Sequence, residues 1–314
     1  MIVIDGNGIA AAAFYGTHYH TMKSDSMVFD RALFESAFIK SLFSTLRMVV
    51  GTSNNPVVFC IDSTSWRKKV YPEYKANRKD LKERTPYRQY IESFHAVCGD
   101  IKALLPLVVL KKAPYEADDL LAYFASKATK AGSDAATQRP LYPVLLVTSD
   151  KDMKQLYDPP FVQLFNHTED KMTVVDNPKE QLQILICTGD SSDNIPSITP
   201  RKADGSSKFR FGEKSIPGYM DATGKCGLCK AFWSKLTEDE AEKFEAGYHL
   251  NSELIDLSRS PVHDENFVLP SVVYSSDNVA CFCNTYMPSV YATQGKYIHE
   301  MMQSFAFDNC SKIW

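Results

Sequence analysis

Three short apolar runs in the first half of the chain each end in an aspartate. Residues 1–4 precede Asp5, residues 57–61 precede Asp62, and residues 144–149 precede Asp150. Apolar runs of this length, bounded by polar residues, predict buried β-strands. Because ligands of open parallel α/β sheets bind beyond the carboxyl ends of the strands, the three carboxylates are expected at one binding edge.

Between these runs the apolar positions follow the period of helices. Phe34, Phe38, Leu42 and Leu46 recur every four residues within 29–50, and a second clean stripe runs through 116–131. Further helices are predicted at 85–105, 178–187, 228–236 and 239–257, further strands at 107–110, 161–165 and 172–175, and a loop with a short helix at 6–25. The pattern predicts an α/β fold with a mostly parallel central sheet and helices on both faces over residues 1–188, followed by a smaller, mainly helical region over 189–314.

Composition places the chain among ordinary globular proteins. It has 314 residues, of which 44% are hydrophobic and 23% are charged. No apolar run is long enough for a membrane span, and the N-terminus lacks the features of a signal peptide, so a cytoplasmic protein without membrane contact is expected. Eight cysteines are too sparse for a disulfide scaffold, and the spacing of Cys226, Cys229, Cys281 and Cys283 argues against a structural zinc site.

Charge is distributed unevenly along the chain. The formal net charge is -3, yet residues 66–88 hold nine basic residues against three acidic ones. Trp66, Tyr71, Tyr74 and Tyr87 are interspersed among them. One interpretation is a solvated loop, and the other is a segment that follows a phosphate backbone and stacks on bases.

Acidic residues cluster at the predicted strand ends and helix starts. The set is Asp5, Asp62, Glu116, Asp118, Asp119, Asp150, Asp152, Asp190 and Asp193. Any one of them is explained by surface exposure or helix capping, but together at one sheet edge they would repel one another unless cations neutralised them. Oxygen ligands select Mg²⁺, with Mn²⁺ as a substitute, and the number of ligands favours two ions, as in two-metal phosphodiester hydrolysis.

Six motifs in order resemble the flap endonuclease and 5′-to-3′ exonuclease family. They are Asp5 after its strand and the segments 61–67 (IDSTSWR), 74–78 (YKANR), 116–119 (EADD), 148–152 (TSDKD) and 189–196 (GDSSDNIP). Size and the later segments look most like the bacteriophage ribonuclease H branch of the T-even type. The resemblance implies a PIN-like 5′ nuclease core with a helical arch or bridge at about residues 66–88.

The resemblance also implies roles for individual residues. Asp5, Asp62, Glu116, Asp118 and Asp119 would serve a first metal, and Asp150, Asp152, Asp190 and Asp193 a second. The catalytic set would be Asp5, Asp62, Asp118, Asp119, Asp150 and Asp152 with Lys75 and Arg78. Nucleic acid would contact Arg67, Lys68, Lys69, Tyr74, Lys75, Arg78 and Lys79. The implied activity, in the bacterial cytoplasm during infection, is removal of RNA primers and adjoining DNA from lagging-strand fragments by a monomeric enzyme that acts on RNA–DNA hybrids, duplex DNA and 5′ flaps.

The chain departs from the family after the motif that ends at Pro196. A basic insertion, expected to be flexible, at about 199–215 replaces the usual glycine-rich helix-hairpin turn, which argues against a potassium site. Duplex binding is expected to persist through Lys202, Lys208, Arg210 and Lys214 in a duplex-binding and C-terminal domain. The last 60 or so residues are interpreted either as a contact for a single-stranded-DNA-binding protein or as a helical cap that uses Tyr297, Met301, Phe305 and Phe307.

Two other functions compete with a nuclease. A haloacid-type phosphatase also places acids at strand ends, but it needs Asp-x-Asp after the first strand, and Asp5 is followed by Gly6 and Asn7. A non-catalytic protein that binds branched DNA would explain the basic segment but not the complete set of acids.

Overall fold

The central feature of the computed structural model, which describes residues 1–18, 28–50, 55–78, 85–202 and 204–307, is a six-stranded sheet. The strands are β1 (Ile2–Asp5), β2 (Val57–Cys60), β3 (Val108–Leu110), β4 (Val144–Val147), β5 (Val162–Asn166) and β6 (Lys171–Thr173). Their order is β3-β2-β1-β4-β5-β6. All neighbours pair in parallel except β5 and β6, so the predicted mostly parallel sheet is confirmed.

Alternation along each strand divides the core between the two faces of the sheet. Ile2 and Ile4 are buried in one hydrophobic cluster, whereas Val3 is buried in the other. Since successive side chains of a strand point to opposite faces, an uninterrupted apolar run requires cover on both sides. Helices supply that cover on each face.

The helices agree with the predicted periodicity in most places. They are α1 (Gly6–His18), α2 (Arg31–Val49), α3 (Arg67–Val70), α4 (Thr85–Leu104), α5 (Ala117–Ala131), α6 (Pro178–Thr188), α7 (Lys230–Trp233), α8 (Glu238–Ile255), α9 (Ser276–Tyr286) and α10 (Pro288–Gln303). The helix predicted within 6–25 is longer than expected, because four consecutive alanines favour helix and Ile9 and Phe14 bury one side of it. The helix predicted at 228–236 shrinks to a single turn.

The chain after α6 packs in several places. Residues between Cys187 and Tyr248 form a cluster of their own, in which Phe209 and Phe211 of the basic insertion are buried, and Leu257, Val262 and Leu269 are buried on the face of the sheet that α5 covers. In contrast, α9 and α10 pack on the face of the sheet that α1, α2 and α4 cover, where Met301 and Phe305 are buried. These two helices therefore do cap the core, although Tyr297 is 40% exposed.

None of the helices in the described ranges is long and apolar enough to cross a membrane.

Candidate active site

The acid-terminated strands bring Asp5 and Asp62 together at the carboxyl edge of the sheet. β1 and β2 pair in register, with Asp5 opposite Cys60. The Asp5 carboxylate accepts hydrogen bonds from the Gly8 amide at 2.8 Å and the Thr148 hydroxyl at 3.2 Å. The Asp62 carboxylate accepts the Ala117 amide at 2.8 Å, at the start of α5. Asp62 therefore connects the carboxyl edge of the sheet to the N-terminus of α5.

Electrostatics identifies a first acidic group, formed by Asp5, Asp62, Asp118 and Asp150. Burial together with the Asp62 and Asp150 charges raises the pKa of Asp5 to about 7. Burial and the charges of Asp150, Asp5 and Asp62 raise the pKa of Asp118 well above its usual value. Neighbouring carboxylates thus add to burial in penalising the ionised forms of Asp5 and Asp118, as happens when like charges lie close together.

A second acidic group joins Asp150 to Asp152, Asp190 and Asp193. Burial and the charges of these three neighbours raise the pKa of Asp152 to about 7. One oxygen of Asp152, Oδ1, is buried without a hydrogen-bond partner among the described residues. The Asp190 carboxylate accepts the Ser192 amide at 2.8 Å. Asp150 thus belongs to both groups.

Glu116 lies beside these groups but is neutralised by protein cations. Lys75 Nζ lies 2.6 Å from Glu116 Oε1, and Arg67 Nη1 lies 3.2 Å from Glu116 Oε2. Burial alone would raise its pKa, but Lys75 and Arg67 outweigh that effect and lower the pKa of Glu116 to about 2. Glu116 is therefore a carboxylate that stays ionised.

The sequence predicted that Arg67 contacts nucleic acid and that Asp119 binds a metal. The structure contradicts both predictions, because these two side chains form an ion pair with each other. Arg67 is 3% exposed and Asp119 is fully buried. The guanidinium donates to both Asp119 oxygens, at 3.0 and 2.9 Å, and Nε donates to the Leu254 carbonyl. Asp119 also accepts from Trp66 and Ser260. With its donors and acceptors used inside the protein, the pair has a structural role.

Tyr74 is likewise not a stacking platform, because it is 3% exposed. Its hydroxyl lies 2.9 Å from both Glu116 and Asp193. The neighbouring side chains of Lys75 and Arg78 also form ion pairs with Asp193.

A cavity of about 600 Å³ opens beside the first acidic group. Asp62, Glu92 and Glu116 contribute acids to its wall, and Lys75, Arg78, Arg88 and Lys111 contribute basic groups. Lys68 and Lys69 are exposed on α3, whereas Lys79 lies outside the described residues. Of the basic residues predicted in the insertion, Lys202, Arg210 and Lys214 are exposed and Lys208 pairs with Glu240 at 2.7 Å.

Several residues that shape the site were absent from the sequence predictions. Asn7 accepts the Asp62 amide at 2.7 Å, Gly8 and Thr148 bind Asp5, and Ser65 donates to Glu116. The position of Asn7 and Gly8 directly after the strand is a signal that could have identified them, because the first residues of a helix that begins there present free backbone amides near the strand's last carboxylate. No local pattern marks Ser65.

The donor set fits a divalent cation bound by oxygens. Within the described ranges, no three His, Cys, Asp or Glu side chains are already gathered in a geometry that would hold a metal ion. Two features nevertheless match a cation: a buried Asp152 oxygen that no group of the described residues satisfies, and pKa values of Asp5 and Asp152 raised by burial and by neighbouring carboxylates. Carboxylate oxygens of this kind are the ligands that Mg²⁺ and Mn²⁺ prefer.

Replacing Gly8 by alanine should disturb Asp5 directly. A Cβ at Gly8 would lie 2.4 Å from Asp5 Oδ2 and 2.9 Å from its Cγ, so the carboxylate must move. We expect Gly8→Ala to lower the catalytic activity of this site about a hundredfold, the loss typical of a displacement near 1 Å in an active site. Gly16→Ala is the matched control because a Cβ there meets nothing within 4 Å in the same helix. Equal activity of the two variants would contradict this role of Gly8.

The raised pKa values of Asp5 and Asp152 predict how the stability of the metal-free protein changes with pH. Both rise from 3.8 to about 7 on folding, so between these values the folded chain binds more protons than the unfolded chain. The free energy of unfolding should therefore fall as pH rises through this window. Glu116, whose pKa falls from 4.5 to about 2, acts oppositely, but only below about pH 5.

Thermal denaturation in chelator, followed from about pH 5 to about pH 8, tests this expectation, and Mg²⁺ should restore more stability at the higher pH. Asp5→Asn should flatten the slope. A metal-free melting temperature that increases across the window would contradict the expectation.

The comparisons with known proteins place this fold and its acidic edge in a family. The model of the 5′-3′ exonuclease N-terminal resolvase-like domain matches residues 1–191. The chain therefore belongs to the 5′-3′ exonuclease and flap endonuclease family, which confirms the resemblance carried by the motifs.

Relatives include a bacteriophage enzyme and bacterial polymerases. The ribonuclease H of Enterobacteria phage T4 is 26% identical over 231 residues, which are 71% of this chain and 67% of that protein. DNA polymerase I of Rhizobium leguminosarum is 28% identical over 212 residues, 63% of this chain but 19% of that protein. The chain thus spans about a fifth of the length of that polymerase.

Two solved bacteriophage T5 structures share the fold. A T5 5′-exonuclease with bound divalent zinc ions superposes with a TM-score of 0.56 at 17% identity, covering 96% of this chain and 99% of that chain. A complex of a T5 D15 flap endonuclease variant with DNA and metal ions gives 0.53 at 17% identity, covering 96% and 98%.

Proposed function

We propose that this chain is a metal-dependent 5′-3′ nuclease that hydrolyses phosphodiester bonds of RNA–DNA hybrids, duplex DNA and 5′ flaps, and that it removes RNA primers from lagging-strand fragments. The observation that carries the proposal is that Asp62 and Asp150 lie near enough to Asp5 and Asp118 to raise the pKa of both, next to a cavity whose wall includes four basic groups. Buried carboxylates whose pKa is raised by neighbouring carboxylates suit a polyvalent cation, and the basic groups of the cavity wall suit phosphate.

Two Mg²⁺ ions would fit the two acidic groups, with Mn²⁺ as a substitute. Asp5, Asp62 and Asp118 would hold the first ion, Asp152, Asp190 and Asp193 the second, and Asp150 would lie between them. Such ions supply an activated water and stabilise the attacking and leaving oxygens of an in-line displacement. Glu116 keeps a negative charge that anchors Lys75, and neither a potassium site nor a zinc site is proposed.

The protein's own groups would position the nucleic acid. Lys75 and Arg78 face the cavity beside the acids, where a phosphate would replace part of their present pairing. Lys68 and Lys69 on α3, and Lys202, Arg210 and Lys214 beyond α6, are exposed and would bind duplex backbone. A single-stranded-DNA-binding protein remains a proposed partner, and the protein is proposed to act as a monomer.

A product-length assay tests the proposal. A 5′-labelled RNA–DNA hybrid and a DNA 5′ flap are incubated with the protein in Mg²⁺ or in chelator. We expect short labelled products from both substrates only with Mg²⁺. Flap binding without cleavage would support a non-catalytic binder, and hydrolysis restricted to small phosphate esters would support a phosphatase.

A further inference from the structure

Two separate segments of the chain are fastened together beside the acidic groups. Residues 73–78 belong to the basic segment 66–88. Residues 191–194 form the turn between Asp190 and Ile195. The amide of Lys75 donates to the Asp193 carbonyl at 2.8 Å, and Arg78 Nε donates to the Ser192 carbonyl at 3.1 Å. Asn77 and Asn194 donate their side-chain amides in opposite directions across the same junction. The two segments therefore behave as one unit.

Side-chain ion pairs complete this junction. Asp193 Oδ1 pairs with Arg78 Nη2 at 2.5 Å, and Asp193 Oδ2 lies 3.4 Å from Lys75 Nζ. Lys75 Nζ also lies 2.6 Å from Glu116 Oε1. Lys75 Nζ is thus held between the Glu116 and Asp193 carboxylates, so a positive charge already occupies the space beside Asp193.

The backbone conformation of Lys75 is constrained by its surroundings. Its φ is +55°, a left-handed conformation that side chains other than glycine's seldom adopt. Such a conformation persists only when the surroundings impose it, and it recurs at ligand clamps and switches. Here the hydrogen bond from the Lys75 amide to the Asp193 carbonyl, and the ion pairs of Lys75 with Glu116 and Asp193, impose it.

We propose that Lys75 and Arg78 are exchangeable counter-ions of Asp193, so that a divalent cation competes with these two side chains for the Asp193 carboxylate oxygens. The inference rests on the proposed metal-dependent nuclease function. A cation on Asp193 would face Lys75 and Arg78 at short range, and like charges there repel. Binding of the cation therefore releases both side chains toward the cavity that they line, and substrate phosphate would take the place of the carboxylates as their partner.

Cation binding in the absence of nucleic acid tests the exchange. Calorimetric titration with Mn²⁺ compares the intact chain with Lys75→Met and Arg78→Met. The matched controls are Lys111→Met, which removes a cationic wall residue for which no carboxylate pair is found in the described ranges, and Arg88→Met, whose partner is the exposed Glu92. Lys75→Arg keeps the charge and serves as the conservative variant.

We expect Lys75→Met to bind Mn²⁺ roughly tenfold more tightly than the intact chain, because the competing charge is gone. Arg78→Met should tighten binding in the same direction, Lys75→Arg should bind as the intact chain does, and the two controls should change little. Because Arg78 is more exposed than Lys75, its variant provides the test even if Lys75→Met folds poorly.

Unchanged or weaker Mn²⁺ binding by both Lys75→Met and Arg78→Met would overturn the exchange, as would equal tightening by Lys111→Met. These outcomes leave the nuclease proposal standing if cleavage still requires Mg²⁺. If the intact chain binds no Mn²⁺ and cleaves nothing in Mg²⁺, the proposed function itself is wrong.

Discussion

Asp150→Asn should reduce cleavage of a 5′ flap about a thousandfold or more, the loss expected when several kcal/mol of metal-ion stabilisation disappear from the transition state. Asp150 is the carboxylate common to both acidic groups, since its charge raises the pKa of Asp5, Asp118 and Asp152. The substitution removes charge from both groups but keeps a side-chain oxygen that can accept the Asp152 amide, at present 2.8 Å away. Folding should therefore be preserved.

Single-turnover kinetics in Mg²⁺ measure the rate of cleavage, and flap binding in chelator measures the affinity for the substrate separately. Binding should stay within about threefold of the intact chain because phosphate contacts come from the basic groups. Asp170→Asn is the matched control: Asp170 is exposed in the β5–β6 turn at φ +51°, a conformation that asparagine tolerates. Full activity of Asp150→Asn would refute the acidic edge as the catalytic centre.

The sheet was predictable from sequence because burial on both faces requires uninterrupted apolar runs. Ile2 to Ile4, Val57 to Cys60 and Val144 to Val147 are strands whose carboxyl ends are marked by acids. α1 was underestimated because its alanines and glycines carry little amphipathic signal. The contact of α9 and α10 with the N-terminal core was also hard to foresee, since it joins residues more than 180 positions apart, such as Tyr286 and Asp100.

The sequence predicted the set of acids near the site, but not the role of each acid within it. Asp118 and Asp119 are adjacent on α5, so they point in different directions: Asp118 shares the field of Asp5 and Asp150, and Asp119 turns inward to Arg67. The same limit applies to the basic segment. Arg67 is buried and Lys68 is exposed, because successive side chains of a helical turn point in directions about 100° apart. Charge counting alone cannot separate an internal ion pair from a phosphate contact.

Arg67→Met should therefore destabilise the protein by about 3–5 kcal/mol, as expected when one partner of a buried ion pair is removed. Asp119 is fully buried and would lose both guanidinium bonds, and the Leu254 carbonyl would lose the Nε donor. The cost arises because an unpaired carboxylate must stay charged in an apolar setting or take up a proton. Denaturant unfolding in the absence of metal measures it.

Arg88→Met is the matched control, since Arg88 and Glu92 form a pair whose side chains are 77% and 63% exposed. Its removal should change stability by less than about 0.5 kcal/mol. The double variant Arg67→Met with Asp119→Asn should recover part of the loss, because the orphaned charge is removed as well. If Arg67→Met instead kept its stability and bound DNA with a weaker salt dependence, Arg67 would be a phosphate contact and the internal pair would be incidental. The buried geometry predicts the opposite: a shifted unfolding midpoint and an unchanged salt slope.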